Sequence, residues 1–193
     1  MNVALRTLMT LDEFLAWELR QEHKWEFDGL RPVAMAGGTA EHSALQRNLA
    51  ISIGGRLRGH SCQFYGSDLK LRTEHSVRYP DGMVVCGPVP RGATYVETPT
   101  VVFEVLSPST SSMDRIEKNR EYAAVPSVRR YVMLEQDRVA ATVFERSGGD
   151  WVGHLLIAGE ALVLPEIGLT LPVDELYEGV DLPPPEEVEA APG

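Results

Sequence analysis

The stretch Thr100–Lys118, TVVFEVLSPSTSSMDRIEK, joins an apolar strand to a loop and a helix, and one residue in the strand is out of place. Val101, Val102 and Phe103 begin the strand, Val105 and Leu106 continue it, and Glu104 stands between them. A carboxylate removed from water in such a strand loses much hydration energy unless a cation or hydrogen-bond donors compensate it. The counterpart of Glu104 is therefore the first thing to find. After the strand, SPSTSSMDRIEKNREYAAV reads as a loop entering a helix, with Ser111 or Asp114 as cap and Asp114 with Glu117 as an acidic form of the capping box. RRYVMLEQ returns as a strand after Pro126, so the segment is a strand–helix–strand crossover.

Upstream, MTLDEFLAWEL opens a helix: Thr10 is the N-cap, Glu13 completes a capping box, and Met9 with Phe14 forms a hydrophobic staple. KWEFDGLRPVAM reads as a hairpin with Asp28-Gly29 as its tight turn. Thr39 caps a second helix with one apolar stripe, Leu45, Leu49, Ile53 and Leu57, and His42 lies at the start of that stripe. Three strands are expected next, over 63–72, 77–85 and 100–106. Downstream, AATVFERSGGDWVGHLLI is a hairpin around Gly148-Gly149, 161–172 is a short strand pair, and DELY is a final helical turn. The order predicts an α+β fold around one mixed sheet. Residues 1–180 read as a single domain and 181–193 as a disordered Pro- and Glu-rich tail.

The chain has 193 residues, 44% hydrophobic and 24% charged, as expected of a soluble domain with a sizeable core. No apolar run has the length of a membrane span, and no signal-peptide pattern is present, so a cytoplasmic protein is expected. Cys62 and Cys86 are too few for a disulfide framework and read as buried cysteines in a reducing setting. The net charge of −10 belongs entirely to the C-terminal quarter: residues 1–146 carry 18 basic and 18 acidic residues, and residues 147–193 carry ten acidic residues and no Lys or Arg. Six basic residues within 47–78 face two acidic ones there; composition favours a solvated mixed-charge face over a phosphate-binding one.

Asp81 follows Tyr79-Pro80 at the start of the MVV strand, and Glu104 lies mid-strand after a loop that lets the two strands pair. Two carboxylates on adjacent strands with open water positions suit Mg2+ or Mn2+. A buried ion pair is the plainer reading of the same residues. Trp17, Trp25 and Trp151 read as packing residues. A two-carboxylate glycosidase is disfavoured because no aromatic-rich cleft is visible.

The succession LDEFLAWE, WEFDGLRPVAM, the histidine of GGTAEHSALQRNLA, SDLKLR, YPDGMVV, VVFEVLSPST and DRIEKNREY followed by VRRYVML resembles the Uma-two putative restriction endonuclease family of the PD-(D/E)XK nuclease superfamily. The resemblance covers roughly residues 7–178. It implies a restriction-endonuclease-like core, a central mixed sheet flanked by helices with extra N-terminal and C-terminal hairpins, and metal-dependent cleavage of DNA by a homodimer. Residue by residue, it implies Asp81 and Glu104 as metal ligands and Glu26 as a further acidic ligand. His42 matches a family histidine with no defined role. Where the superfamily pattern has its lysine, two residues after Glu104, this sequence has Leu106. Lys118, on the following helix and one turn from Asp114, is the replacement expected, and Lys70, which shares its strand face with Asp68, is the runner-up. Tyr122, one turn beyond Lys118, either lines the site or covers the strand edge. Leu106 also motivates a rival reading, a catalytically impaired nuclease fold that binds nucleic acid or regulates.

Overall fold

The computed structural model describes residues 9–106, 112–148 and 150–184, with the side chains of 112–114 outside that description. Thr10 caps α1 (Leu11–Glu18): its hydroxyl accepts the Glu13 N–H at 3.3 Å, and Glu13 accepts the Thr10 N–H at 2.8 Å. β1 (Trp25–Phe27) and β2 (Pro32–Ala34) form the expected hairpin. Its turn is longer than the sequence pattern implied, running over Asp28–Arg31. Asp28 Oδ1 accepts the N–H groups of both Leu30 and Arg31 at 2.8 Å, and Gly29 takes φ +91°, which a side chain would resist.

α2 (Ala40–Leu49) is capped by Thr39 and runs on into a π-helical turn, Ala50–Gly54. That turn has a cause in the sequence. An i+4 stripe advances about 40° per step around an ideal α-helix, so Leu57 would rotate away from Leu45. The wider π turn absorbs the drift, and Leu45, Leu49, Ile53 and Leu57 all stay in the core.

Two segments that read as single strands are each split. Residues 62–72 give β3 (Cys62–Gly66) and β4 (Lys70–Arg72), and 77–86 give β5 (Val77–Arg78) and β6 (Gly82–Cys86). Pro80 has no N–H to extend a ladder, so the chain leaves one sheet at Tyr79 and enters another at Gly82. A short strand the sequence pattern did not reveal, β7 (Tyr95–Val96), follows. Next come β8 (Val101–Val105), α3 (Ser112–Ala124), β9 (Arg130–Leu134), the β10 (Ala140–Ser147) and β11 (Asp150–Ile157) hairpin, and the β12 (Ala161–Leu164) and β13 (Leu169–Pro172) hairpin. The last helical turn, Val173–Tyr177, is 3-10. Ser111, and the capping side chain of Asp114, lie outside the described residues, as do positions 185–193 of the tail.

The fold is mixed α+β, as expected, but its strands form two larger sheets and a hairpin rather than one sheet. A six-stranded sheet has the order β11-β10-β9-β8-β6-β3, and a five-stranded sheet has the order β2-β1-β5-β4-β7. β8 and β9 are parallel, joined by the α3 crossover; β6 and β8 are antiparallel. Alternation along β8 divides two cores. Val101, Phe103 and Val105 join the α2 stripe and the C-terminal hairpin, whereas Val102 and Leu106 join Tyr122 and Val125 of the α3 side. Trp17, Trp25 and Trp151 pack against aromatic neighbours, as read.

The reading of the cysteines is corrected. Cys62 and Cys86 are register partners on β3 and β6, with Cα atoms 3.9 Å apart, and they are joined in a disulfide at the sheet edge instead of lying free in the core. The pairing depends on strand register, which cysteine counting cannot supply. Among the basic residues of 47–78, Arg56 and Arg72 pair with Glu175 and with Asp12 and Glu97, in keeping with the mixed-charge reading, whereas Lys70 and Arg78 are buried. No helix among the described residues is long and apolar enough to cross a membrane.

Candidate functional site

The break between the sheets places Asp81. The β6–β8 register pairs Gly82 with Phe103, and one further step sets Asp81 opposite Glu104. Cross-strand neighbours of this kind lie close enough to interact. Asp81 Oδ2 accepts the N–H of Val105, the residue after Glu104, at 2.6 Å, and Asp81 Oδ1 accepts Gln46 Nε2 of α2 at 2.6 Å. His42, one helical turn before Gln46, brings Nε2 to 3.4 Å from Asp81 Oδ2. That hydrogen-bonding contact, together with nearby carboxylate charge, holds the His42 imidazole above its ordinary pKa, against the effect of burial.

Glu104 points to the α3 side of its sheet. Lys118 Nζ lies 3.2 Å from both of its carboxylate oxygens, and the buried Tyr122 hydroxyl donates to Oε1 at 2.8 Å. Burial, reinforced by the charges of Asp81 and Glu26, outweighs Lys118 and pushes the Glu104 carboxyl up to about 7. Leu106 lies on the same β8 face and packs with Tyr122 and Val125. The position two residues after Glu104 therefore faces α3, and an ammonium from α3 reaches the same neighbourhood.

Glu26 is held at the crossing point between the sheets. Its Oε1 accepts the Tyr79 N–H at 2.9 Å, its Oε2 accepts Arg78 Nη1 at 3.3 Å, and Lys118 Nζ lies 3.9 Å away. Arg78 is buried and makes a bidentate pair with Glu121 of α3 at 2.8 and 2.7 Å. Its burial disfavours the charge, but Glu121 and Glu26 more than offset this and raise its pKa. Glu26, His42, Gln46, Asp81, Glu104 and Lys118 all line one open cleft of about 890 Å3.

The sequence model of the Uma2 family, described as putative restriction endonuclease, matches residues 11–174. This chain belongs to the Uma2 family. Among its relatives is the uncharacterized protein slr1290 of Synechocystis sp. (strain ATCC 27184 / PCC 6803 / Kazusa), 35% identical over 173 residues, covering 88% of this chain and 91% of the relative. A second uncharacterized protein of that organism, sll1609, is 28% identical over 141 residues, covering 70% and 80%. The crystal structure of a putative nuclease belonging to DUF820 from Anabaena variabilis ATCC 29413 matches with a TM-score of 0.75 at 17% identity, over 88% of this chain and 97% of that one. At that identity the likeness establishes a shared fold.

In this Uma2 chain two of the residues singled out by sequence stand apart from the cleft. Asp68 is exposed on the β3–β4 turn and pairs with Lys24. Lys70 is buried against Glu18 at 2.7 Å and packs on the Tyr79 ring, whose hydroxyl also donates to Glu18 at 2.6 Å. Sequence reasoning missed Gln46, Arg78 and Glu121. Gln46 was recoverable, being four residues from His42 on one helix face. Arg78 and Glu121 meet only through the tertiary fold.

Among the described residues, no three His, Cys, Asp or Glu side chains form a ready-made cation cage. A magnesium-class ion does not require one; it is commonly held by one or two carboxylates, with water and substrate phosphate completing the shell. Asp81 and Glu104 are the pair able to do this. Around them the described carboxylates Glu26, Asp81, Glu104 and Glu121 outnumber the fixed cations Arg78 and Lys118 by two. That excess of acidic side chains suits a divalent cation.

Proposed function

We propose that this Uma2 protein hydrolyses phosphodiester bonds in DNA at the Asp81–Glu104 cleft, with Mg2+ or Mn2+ as the required cation. One observation carries the reading: Lys118 reaches Glu104 at 3.2 Å although the usual lysine position is occupied by Leu106. A divalent ion held by Asp81 and Glu104 would acidify a water and screen the phosphate charge. The chain's own groups do the rest. Gln46 and the Val105 N–H orient Asp81, Tyr122 orients Glu104, and Lys118 favours a hydroxide nucleophile and offsets charge developing on the phosphate. Glu26, braced by Arg78 and the Tyr79 N–H, stands near Lys118 and is the additional acidic residue proposed for the ion's surroundings.

The test is plasmid nicking with and without magnesium, for the wild type and for Asp81→Ala, Glu104→Ala and Lys118→Met. Nicking that requires magnesium and is lost in all three variants is expected; nicking that survives Asp81→Ala and Glu104→Ala overturns the assignment. DNA binding without nicking would instead support the impaired-nuclease reading. A homodimer, which would present two clefts to a duplex, is proposed on the same footing and is read from the mass in solution.

A further inference from the structure

The cleft rim carries an arrangement that hydrolysis at its floor does not use. Two lysines among the described residues line the cleft, Lys118 and Lys24. Lys118 is engaged with Glu104 and Glu26. Lys24 stands just ahead of β1, where its Nζ donates to the Ser67 carbonyl at 3.0 Å and to Asp68 Oδ1 at 2.5 Å. The same ammonium lies 5.5 Å from the centroid of the Tyr79 ring. That ring is itself fixed, because its hydroxyl donates to Glu18 at 2.6 Å and Lys70 packs against it at 5.8 Å.

The Lys24 ammonium is thus positioned by a carbonyl and an aromatic face, while its acidic partner is loosely held. The Asp68 side chain is 95% exposed, and that of Lys24 is 42% exposed. An ion pair so open to water is weak and exchanges readily. A phosphate oxygen that displaced the Asp68 carboxylate would meet the same ammonium. Tyr79, over whose ring the ammonium sits, precedes Asp81 by two residues, and both Tyr79 and Lys24 line the cleft that holds the carboxylates. A polyanionic strand entering such a cleft needs cations along its path.

We infer that Lys24 is a DNA-backbone contact of this cleft, exchanging Asp68 for a phosphate that flanks the cleaved one. The inference rests on the nuclease reading above and adds to it a residue, a ligand and a resident competitor. Each phosphate neutralised by a protein cation releases condensed counterions, so its loss changes the salt dependence of binding.

Binding to a short duplex across a salt series, with calcium replacing magnesium, tests it alongside steady-state nicking. Lys24→Ala is expected to reduce the slope of log K against log salt by about 1 and to raise KM about fivefold to tenfold, with kcat within about twofold. Lys24→Arg is expected to restore the slope, and Asp68→Asn to tighten binding about threefold. A purely structural role for Lys24 would not move the slope. If the wild type nicks DNA but Lys24→Ala keeps the wild-type slope and KM, or Asp68→Asn weakens binding, this inference is overturned and the nuclease reading stands. If the wild type neither binds nor nicks, the nuclease reading falls and this inference falls with it.

Discussion

Replacing Glu104 by glutamine in metal-free protein should remove a pH-dependent loss of stability. Burial pushes the Glu104 carboxyl up to about 7 in the folded protein, from an ordinary value of 4.5. Between those values the folded chain holds a proton that the unfolded chain has released. Stability from this group is therefore full below pH 4.5 and is lost as pH rises through 7. At about 1.36 kcal/mol per unit, the loss between pH 5 and pH 8 comes to about 2–3 kcal/mol. The amide of Glu104→Gln cannot ionise, and its carbonyl can still accept the Tyr122 hydroxyl that Glu104 accepts at 2.8 Å. The attraction of Lys118 already enters the Glu104 shift, so the loss of that ion pair in the variant needs no separate allowance. Urea unfolding in EDTA at pH 5, 6, 7 and 8 reads the difference; His42 titrates in the same window, but Glu104 is a smaller cause of its shift than Asp81. The variant should gain on the wild type by about 2–3 kcal/mol across the series. Parallel stability curves would refute the claim that this carboxylate is buried without enough positive charge. Added magnesium should raise the wild-type midpoint at pH 8 and do much less for Glu104→Gln.

Arg78→Leu should cost about 3–5 kcal/mol in urea unfolding, because it leaves Glu26 and Glu121 without their shared cation, and Glu121→Gln in the same chain should recover part of that. Gly82→Ala should lose about 1–3 kcal/mol: a Cβ there would sit 2.6 Å from Phe64 Cζ, so the loss should largely vanish in a Phe64→Leu background. Reducing the Cys62–Cys86 bond, which closes a 24-residue separation, should lower the unfolding free energy by about 3 kcal/mol, measured with and without dithiothreitol.

The sequence made the local elements legible and left their partners hidden. The Thr10–Glu13 capping box, the Thr39 cap and the i+4 stripe of α2 are short-range patterns, and each stands where read. The split of 77–86 was not legible, because YPD reads as a kink within one strand as easily as a passage between two sheets. The Cys62–Cys86 bond shares that origin: it follows from the β3–β6 register, which no residue in either strand declares. Arg78 illustrates the same limit in the site, since nothing near it in sequence marks Glu121, 43 residues away, as its partner.

Glu104 was legible for the opposite reason: a carboxylate between Phe103 and Val105 contradicts its own strand, and the contradiction points to a tertiary answer. The period of two along β8 supplies half of it. Glu104 and Leu106 share the face that α3 covers, so any cation answering Glu104 from outside the strand has to come from α3 or from the neighbouring sheet. Helical spacing then supplies the rest, because Lys118 and Tyr122 are four residues apart and both reach the same carboxylate. A lysine in place of Leu106 would have to displace the apolar contact that seats Tyr122 and Val125. With Leu106 in the core and the ammonium on α3, packing and charge are met by different residues, so Lys118→Met should abolish nicking while leaving the Leu106–Tyr122–Val125 packing in place.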